Sequence, residues 1–168
     1  APTNHYAGIW GLVVNGRELA VVPARTGTIF YDCTTPTAPV EVAFIPGPGT
    51  GATGYFWREA NSCGNYVYLA SEHGALQVVD CSNPASPQLA GTFGNTAHTV
   101  SIDCNRRILW ASGGAGRGVV LYDIGANPVN PPQIGVRSDP YIHDCTPNGR
   151  YAYMAQMFDG SFGIVDAT

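Results

Sequence analysis

The chain has 168 residues, a length that suits one domain with a buried core. Only 12% of its residues are charged, the net charge is −4, and all eight basic residues are Arg, with only Arg106 and Arg107 adjacent. That excludes a nucleic-acid footprint built from clustered basic residues, and no apolar stretch approaches the ~18 residues of a membrane-spanning helix.

Gly 21 and Pro 13 make up one residue in five, which opposes long helices. The abundance of Val, Ile, Tyr, Phe, Trp and Thr favours strands. In chain order, residues 9–14 turn at Asn15-Gly16 into a strand at 18–22, followed by the run Gly27-Thr-Ile-Phe-Tyr-Asp32. A Pro-bearing turn at Thr35-Pro36 then leads to a short strand at 40–45. The pattern returns as 56–61, a turn at Cys63-Gly64-Asn65, 66–70, Gly74 to Asp80, Asn83-Pro84 and 88–93. It returns again as 98–103, a turn at Asn105-Arg106, 108–111, Gly118 to Asp123, Asn127-Pro128 and 133–136. The last copy is 141–146, Asn148-Gly149, 151–155 and Gly160 to Asp166. Asn-Gly between apolar runs is a strong hairpin signal.

The closing aspartates Asp32, Asp80, Asp123 and Asp166 are 48, 43 and 43 residues apart. Four short antiparallel strands, a to d, in a unit of about 43 residues describe a propeller blade. The expected fold is therefore an all-β propeller with about four blades, at about 7–50, 54–95, 96–137 and 140–168. A meandering sandwich is the competing reading, but four copies holding Gly, Asp and hairpin in register count against it. The fourth unit stops at Asp166-Ala-Thr168, where the others continue into a Pro turn and strand d. Either residues 1–6 complete that blade, or the chain is part of a larger propeller, which is the expectation. An open edge at blade four would invite self-assembly with another chain. The start at Ala1 is read as a processed or excised end.

Strand a lines a propeller's channel, so Trp10, Arg58, His98 and His143, at comparable places near the starts of the four a strands, are expected at one end of it. The b–c loops add Arg25, Glu72, His73, Arg117 and Asp159 at that end, and Glu59 and Asp144 follow Arg58 and His143. Three chemistries fit. His73, His98 and His143 could hold a divalent metal ion such as Zn²⁺ or Mn²⁺, with Glu59 or Glu72 as general base; Arg58 nearby opposes a cation. The Arg side chains could clamp a carboxylate, sulfate or sugar acid. Or the groups pair with one another, Arg58 with Glu59 or Glu72, as a structural plug. Trp10, Trp57 and Trp110 are expected as wedges between blades, and the closing aspartates as caps of turn amides. Gly113 to Gly118 lacks the Lys-Ser/Thr of a phosphate loop and is read as a flexible loop.

Cys33 and Cys81 occupy equivalent c–d turns, and Cys63 and Cys104 equivalent a–b turns. Repeat symmetry suggests disulfides Cys33–Cys63 and Cys81–Cys104, with four reduced thiols as the alternative and Cys145 left over. Five cysteines in a Lys-free chain fit an oxidising compartment.

Leu76-Gln-Val-Val-Asp-Cys-Ser-Asn-Pro84 and Phe162-Gly-Ile-Val-Asp166 resemble the LVIVD-type propeller repeat. The succession Ile9-Trp10-Gly11, Trp57-Arg58-Glu59, Ser71-Glu72-His73-Gly74, Ala97-His98 and Tyr141-Ile-His143-Asp144 is similar to the secreted choice-of-anchor B proteins of microbial surfaces. That family's propeller is longer, and its usual Asp-Val/Ile-Ser/Thr turn is here Asp32-Cys33 and Asp80-Cys81. The resemblance implies a propeller and an extracellular or cell-surface address, and brings no established reaction. The expected function is a non-catalytic binding, adhesion or assembly scaffold for other protein chains or surface saccharides. A metal-dependent hydrolase or lyase at the channel mouth is the alternative.

Overall fold

Turn chemistry sets the strands. Asn15 and Gly16 both take positive φ, 49° and 76°, between β1 (Trp10–Val14) and β2 (Arg17–Ala24), the hairpin geometry whose twist matches that of paired strands. The computed structural model describes residues 5–48, 57–114, 118–138 and 140–167. Blade 1 is completed by β3 (Gly27–Asp32) and β4 (Val40–Pro46). Blade 2 holds β5 (Arg58–Cys63), β6 (Tyr66–Ser71), β7 (Leu76–Asp80) and β8 (Gln88–Phe93). Blade 3 holds β9 (Thr99–Asp103), β10 (Ile108–Ser112), β11 (Val119–Asp123) and β12 (Gln133–Arg137). Blade 4 holds β13 (Asp144–Asn148), β14 (Tyr151–Gln156) and β15 (Ser161–Asp166).

Every sheet is antiparallel in chain order, the first three with four strands and the last, among the described residues, with three. The c–d pairing shifts register at the same repeat position in three blades, at Phe30/Tyr31, Val78/Val79 and Leu121/Tyr122. Beyond each shift the closing aspartate caps the turn: Asp32 accepts from Thr34 N (2.9 Å), Asp80 from Ser82 N (2.7 Å) and Asp123 from Gly125 N (2.9 Å). Asp166 takes a different partner, Arg150 Nε at 2.8 Å.

Strands a stand side by side, with β5 against β9 and β9 against β13. Alternate side chains of neighbouring blades fill three cores. Val21, Phe30 and Ile45 meet Val67, Leu69 and Cys81; Tyr68, Val78 and Phe93 meet Leu109, Ala111 and Tyr122; Trp110 and Val119 meet Cys145, Ala152 and Met154. Burial of such apolar area is worth roughly 25 cal/mol per Å², so the contacts between blades hold the fold.

The cysteines depart from expectation. The disulfide joins Cys63 to Cys104, with Cα atoms 5.6 Å apart, whereas Cys33, Cys81 and Cys145 are free. The expected Cys33–Cys63 and Cys81–Cys104 pairings are thus wrong. Equivalent residues on adjacent a strands lie close together around the channel, whereas a c–d turn sits further from the axis than an a–b turn. Cys81 is fully enclosed between blades 1 and 2. Burial, helped by Asp80, pushes its thiol up to about 12, which leaves it an inert packing group.

Candidate functional site at the channel mouth

His98 and His143 immediately precede β9 and β13, and each is fixed by its own backbone. His98 N donates to Ser112 O (2.7 Å) and His143 N to Ala155 O (2.9 Å). Equivalent placement on neighbouring strands brings the two imidazoles ring against ring, centroids 4.3 Å apart and tilted by 55°. Glu72, on the β6–β7 turn, holds His98 Nδ1 at 2.7 Å. Thr99 Oγ1 donates to His143 O at 3.2 Å. Gly113 closes behind His98 with φ 68°; a Cβ there would stand 2.7 Å from His98 Cβ and 3.1 Å from Ile142 O. Any other residue at 113 would displace the imidazole.

Below this pair lies a cavity of about 400 Å³ along the channel, lined among others by Glu59, Asn61, Thr99, Ser101, Asp144 and Thr146. Burial raises the Glu59 carboxyl above its ordinary pKa; the negative Asp144 adds to the rise and His98 offsets part of it. Asp144 Oδ1 accepts from Cys145 N at 2.8 Å. Aromatic rings rim the mouth: Trp57 lies 6.3 Å from His98, Tyr141 6.3 Å from His143, and Phe158 4.8 Å from Tyr141. Burial, then the nearby Glu72 charge, pushes the Tyr141 hydroxyl pKa up, so the phenol stays a neutral donor.

The structure brings together Glu59, Glu72, His98, His143 and Asp144 and separates the others. Arg58 is buried and turned toward blade 1, donating to Pro48 O (3.0 Å) and Arg25 O (3.5 Å) rather than to Glu59 or Glu72. Gly47 leaves it room, since a Cβ there would collide with the guanidinium. Neither the anion clamp nor the Arg–Glu plug therefore forms around Arg58. Arg25 sits on the β2–β3 turn, where its carbonyl accepts from Arg58. His73 lies on the β6–β7 turn, its N–H donating to Ser71 Oγ at 3.1 Å. Among the described residues no three His, Cys, Asp or Glu could hold a metal ion, so His73, His98 and His143 do not make the expected metal set. The Glu72 carboxylate occupies His98 Nδ1, and the two imidazoles face each other rather than a common centre. Asp159 is exposed on the β14–β15 turn, and Arg117 lies outside the described residues.

Trp57, expected as a wedge, is 47% exposed at the rim, whereas Trp110 is 3% exposed in the core. Strand alternation could have signalled this, because residues 57 and 59 share the side opposite Arg58. Trp10 is half-buried and donates Nε1–H to Ser62 Oγ at 2.8 Å.

Comparison with known proteins gives the fold a context. Residues 62–95 match the LVIVD repeat, and no curated protein sequence matches the chain. A candidate 6-phosphogluconolactonase from Bacteroides uniformis ATCC 8492 superposes with a TM-score of 0.73 at 13% identity, over 99% of this chain and 52% of its own. The computationally designed Ika4 protein gives 0.67 at 12% identity, over 98% of this chain and 94% of its own. A chain of the Nidogen/Laminin complex gives 0.57 at 11% identity, over 89% of this chain and 55% of its own. At such identities the likeness is one of fold. The chain spans about half the length of the two natural proteins.

Proposed function

We propose that this LVIVD-repeat β-propeller is a non-catalytic binding scaffold outside the cell, and that its channel mouth takes a basic group of the partner. The carrying observation is the mouth itself. Glu59, Glu72 and Asp144 converge there with two imidazoles and an aromatic rim, while the Arg58 guanidinium is turned away into the blade interface. Carboxylates with aromatic faces suit an arginine or lysine side chain, through charge-assisted hydrogen bonds and cation–π contact. The Cys63–Cys104 bond accords with an oxidising compartment. Propellers also bind through channel mouths that do no chemistry, so the reading needs no reaction.

Glu59 makes the reading testable. Its pKa is raised in the folded state, so the fold holds this proton more tightly than the unfolded chain does. Stability linked to Glu59 is complete below its unfolded pKa and is lost as pH rises through the folded value. At neutral pH the bare carboxylate is therefore a cost. Glu59→Gln is expected to raise stability there by on the order of 1 kcal/mol or less, since solvent screens the half-buried group, and to leave it unchanged in acid. Calorimetric titration with acetyl-Gly-Arg-Gly-amide should show binding that strengthens as pH rises through the Glu59 pKa. The Glu-containing tripeptide should not bind, and Glu59→Gln should weaken the Arg tripeptide about tenfold. A variant that binds less well yet is more stable marks a residue kept for a ligand. Equal heats for the Arg and Glu tripeptides would sink the proposal.

A further inference from the structure

At the end of the molecule opposite the imidazole pair, the Cys63–Cys104 bond lines a second cavity, of about 280 Å³, between blades 2 and 3. Tyr66, Tyr68, Arg107 and Pro128 are among its other walls. The two sulfurs are not equally open. Cys63 ends β5, half-buried against the apolar core between the blades, whereas Cys104 is exposed on the β9–β10 turn. Tyr68 is tied to Pro128 O by its hydroxyl at 3.0 Å, which fixes the apolar side of the cavity.

Arg107 supplies the charge. It stands on the same turn in the left-handed region, φ 56°, an uncommon conformation for a residue with a side chain. Two contacts hold it there. Ile124 N donates to Arg107 O at 3.0 Å, and Gly125 leaves space for the stem, since a Cβ at 125 would stand 3.1 Å from both Arg107 Cβ and Cδ. The neighbouring Arg106 is committed elsewhere, donating to Gly149 O at 3.0 Å and to Ala167 O. The exposed Arg107 guanidinium has no hydrogen-bond or ion-pair partner among the described residues.

We infer that this cavity is a thiol-exchange site, where a small thiol carrying a carboxylate docks on Arg107 and is transferred onto Cys104. The thiol first gives its proton to water. Its thiolate sulfur attacks Cys104 Sγ and a new S–S bond forms there; the Cys63–Cys104 bond breaks, and Cys63 leaves as a thiolate that takes a proton from water. The thiol is the sole co-reactant. The cavity volume suits a molecule of a few carbon atoms. A guanidinium fits both its carboxylate and the sulfur charge that passes from the attacking thiolate to Cys63. Cys81 and Cys145 are enclosed in the interblade cores, so neither competes for the adduct. Blades 2 and 3 stay joined through Tyr68, Phe93, Leu109 and Tyr122, so the exchange takes place on the folded chain. This site is independent of what the channel mouth binds.

The test treats the oxidised full chain with 3-mercaptopropionate or cysteamine, quenches with iodoacetamide and maps the peptides by mass. The expected product carries mercaptopropionate on Cys104 and a carbamidomethyl group on Cys63, and forms in proportion to thiol concentration. With each rate normalised to that thiol's rate on hydroxyethyl disulfide, the anionic thiol should react about tenfold faster than the cationic one, one attraction gained and one repulsion removed. Arg107→Asn, which keeps a residue tolerant of the left-handed φ, should bring the two normalised rates together, and Arg107→Lys should restore most of the difference. An adduct on Cys63 overturns the proposal, as do equal normalised rates on the unaltered chain or a bond that stays intact in excess thiol. So does a difference that survives in Arg107→Asn, or a rate that levels off at the pace of global unfolding.

Discussion

Phe93→Ala is expected to destabilise the protein by about 3–5 kcal/mol, a large part of the ~5–15 kcal/mol that holds a domain folded. Phe93 ends β8 on the outermost strand of blade 2, yet its ring is 5% exposed. It meets Tyr68 edge-on at 6.3 Å in its own blade and Tyr122 at 4.9 Å in blade 3. Such aromatic pairs add about 0.5–1.5 kcal/mol beyond the area they bury. The cavity left by truncation could not collapse, because both tyrosines are anchored. Tyr68 donates its hydroxyl to Pro128 O at 3.0 Å. Gly94, at φ 61°, lies so close to the Tyr122 hydroxyl that a Cβ would not fit. Urea unfolding would measure the loss, with Leu89→Ala as control. Leu89 is on the same strand but 47% exposed, and its truncation should cost far less. A Phe93→Ala cost under 1 kcal/mol would mean that blades 2 and 3 are not coupled through this ring.

The second large effect is removal of the Cys63–Cys104 bond. It links residues 41 apart in sequence, and chain-entropy reasoning assigns about 4 kcal/mol to closing such a loop in the unfolded chain. The paired substitution Cys63→Ser with Cys104→Ser should therefore lower the melting temperature by roughly 8–16 °C at the usual scaling for a chain of this size. Cys81 and Cys145 cannot substitute for the bond. Cys81 and Cys145 are buried, and burial pushes both thiols up to about 12, so neither forms much thiolate near neutrality. Unfolding followed by calorimetry, with and without prior reduction, gives the same comparison on the unmodified sequence. A melting temperature unmoved by both treatments would show that the bond constrains nothing the fold needs.

Most of the architecture was legible because propeller geometry is local. A strand pair joined at Asn15-Gly16 or Asn148-Gly149, a Gly-to-Asp run and a Pro turn each specify a few residues, and repetition supplies the global arrangement. The same logic set a common height: residues just before or at the starts of equivalent strands, His98, His143, Glu59 and Asp144, do meet. Side-chain direction was not legible from position alone. Arg58 and Glu59 are neighbours, yet one points into the core with blade 1 and the other into the channel, so treating both as mouth residues put a guanidinium where there is none. Radial distance was not legible either. Cys33 and Cys63 are both in lower turns, but a c–d turn and an a–b turn lie at different distances from the axis, and the pairing that forms is between like turns. The rim role of Trp57 was hidden by a sound general rule, that a large ring is more often packed than presented.

The succession of three interblade cores has a consequence for how the molecule comes apart. Their packing runs from each blade to its chain neighbour, so the energetics are those of a short one-dimensional array, in which each unit is stabilised by its own strands and by the units beside it. Blades 2 and 3, with a neighbour on each side and a covalent staple between them, form the centre of that array. Amide-exchange protection should accordingly fall from β6 and β10 toward β2 and β14.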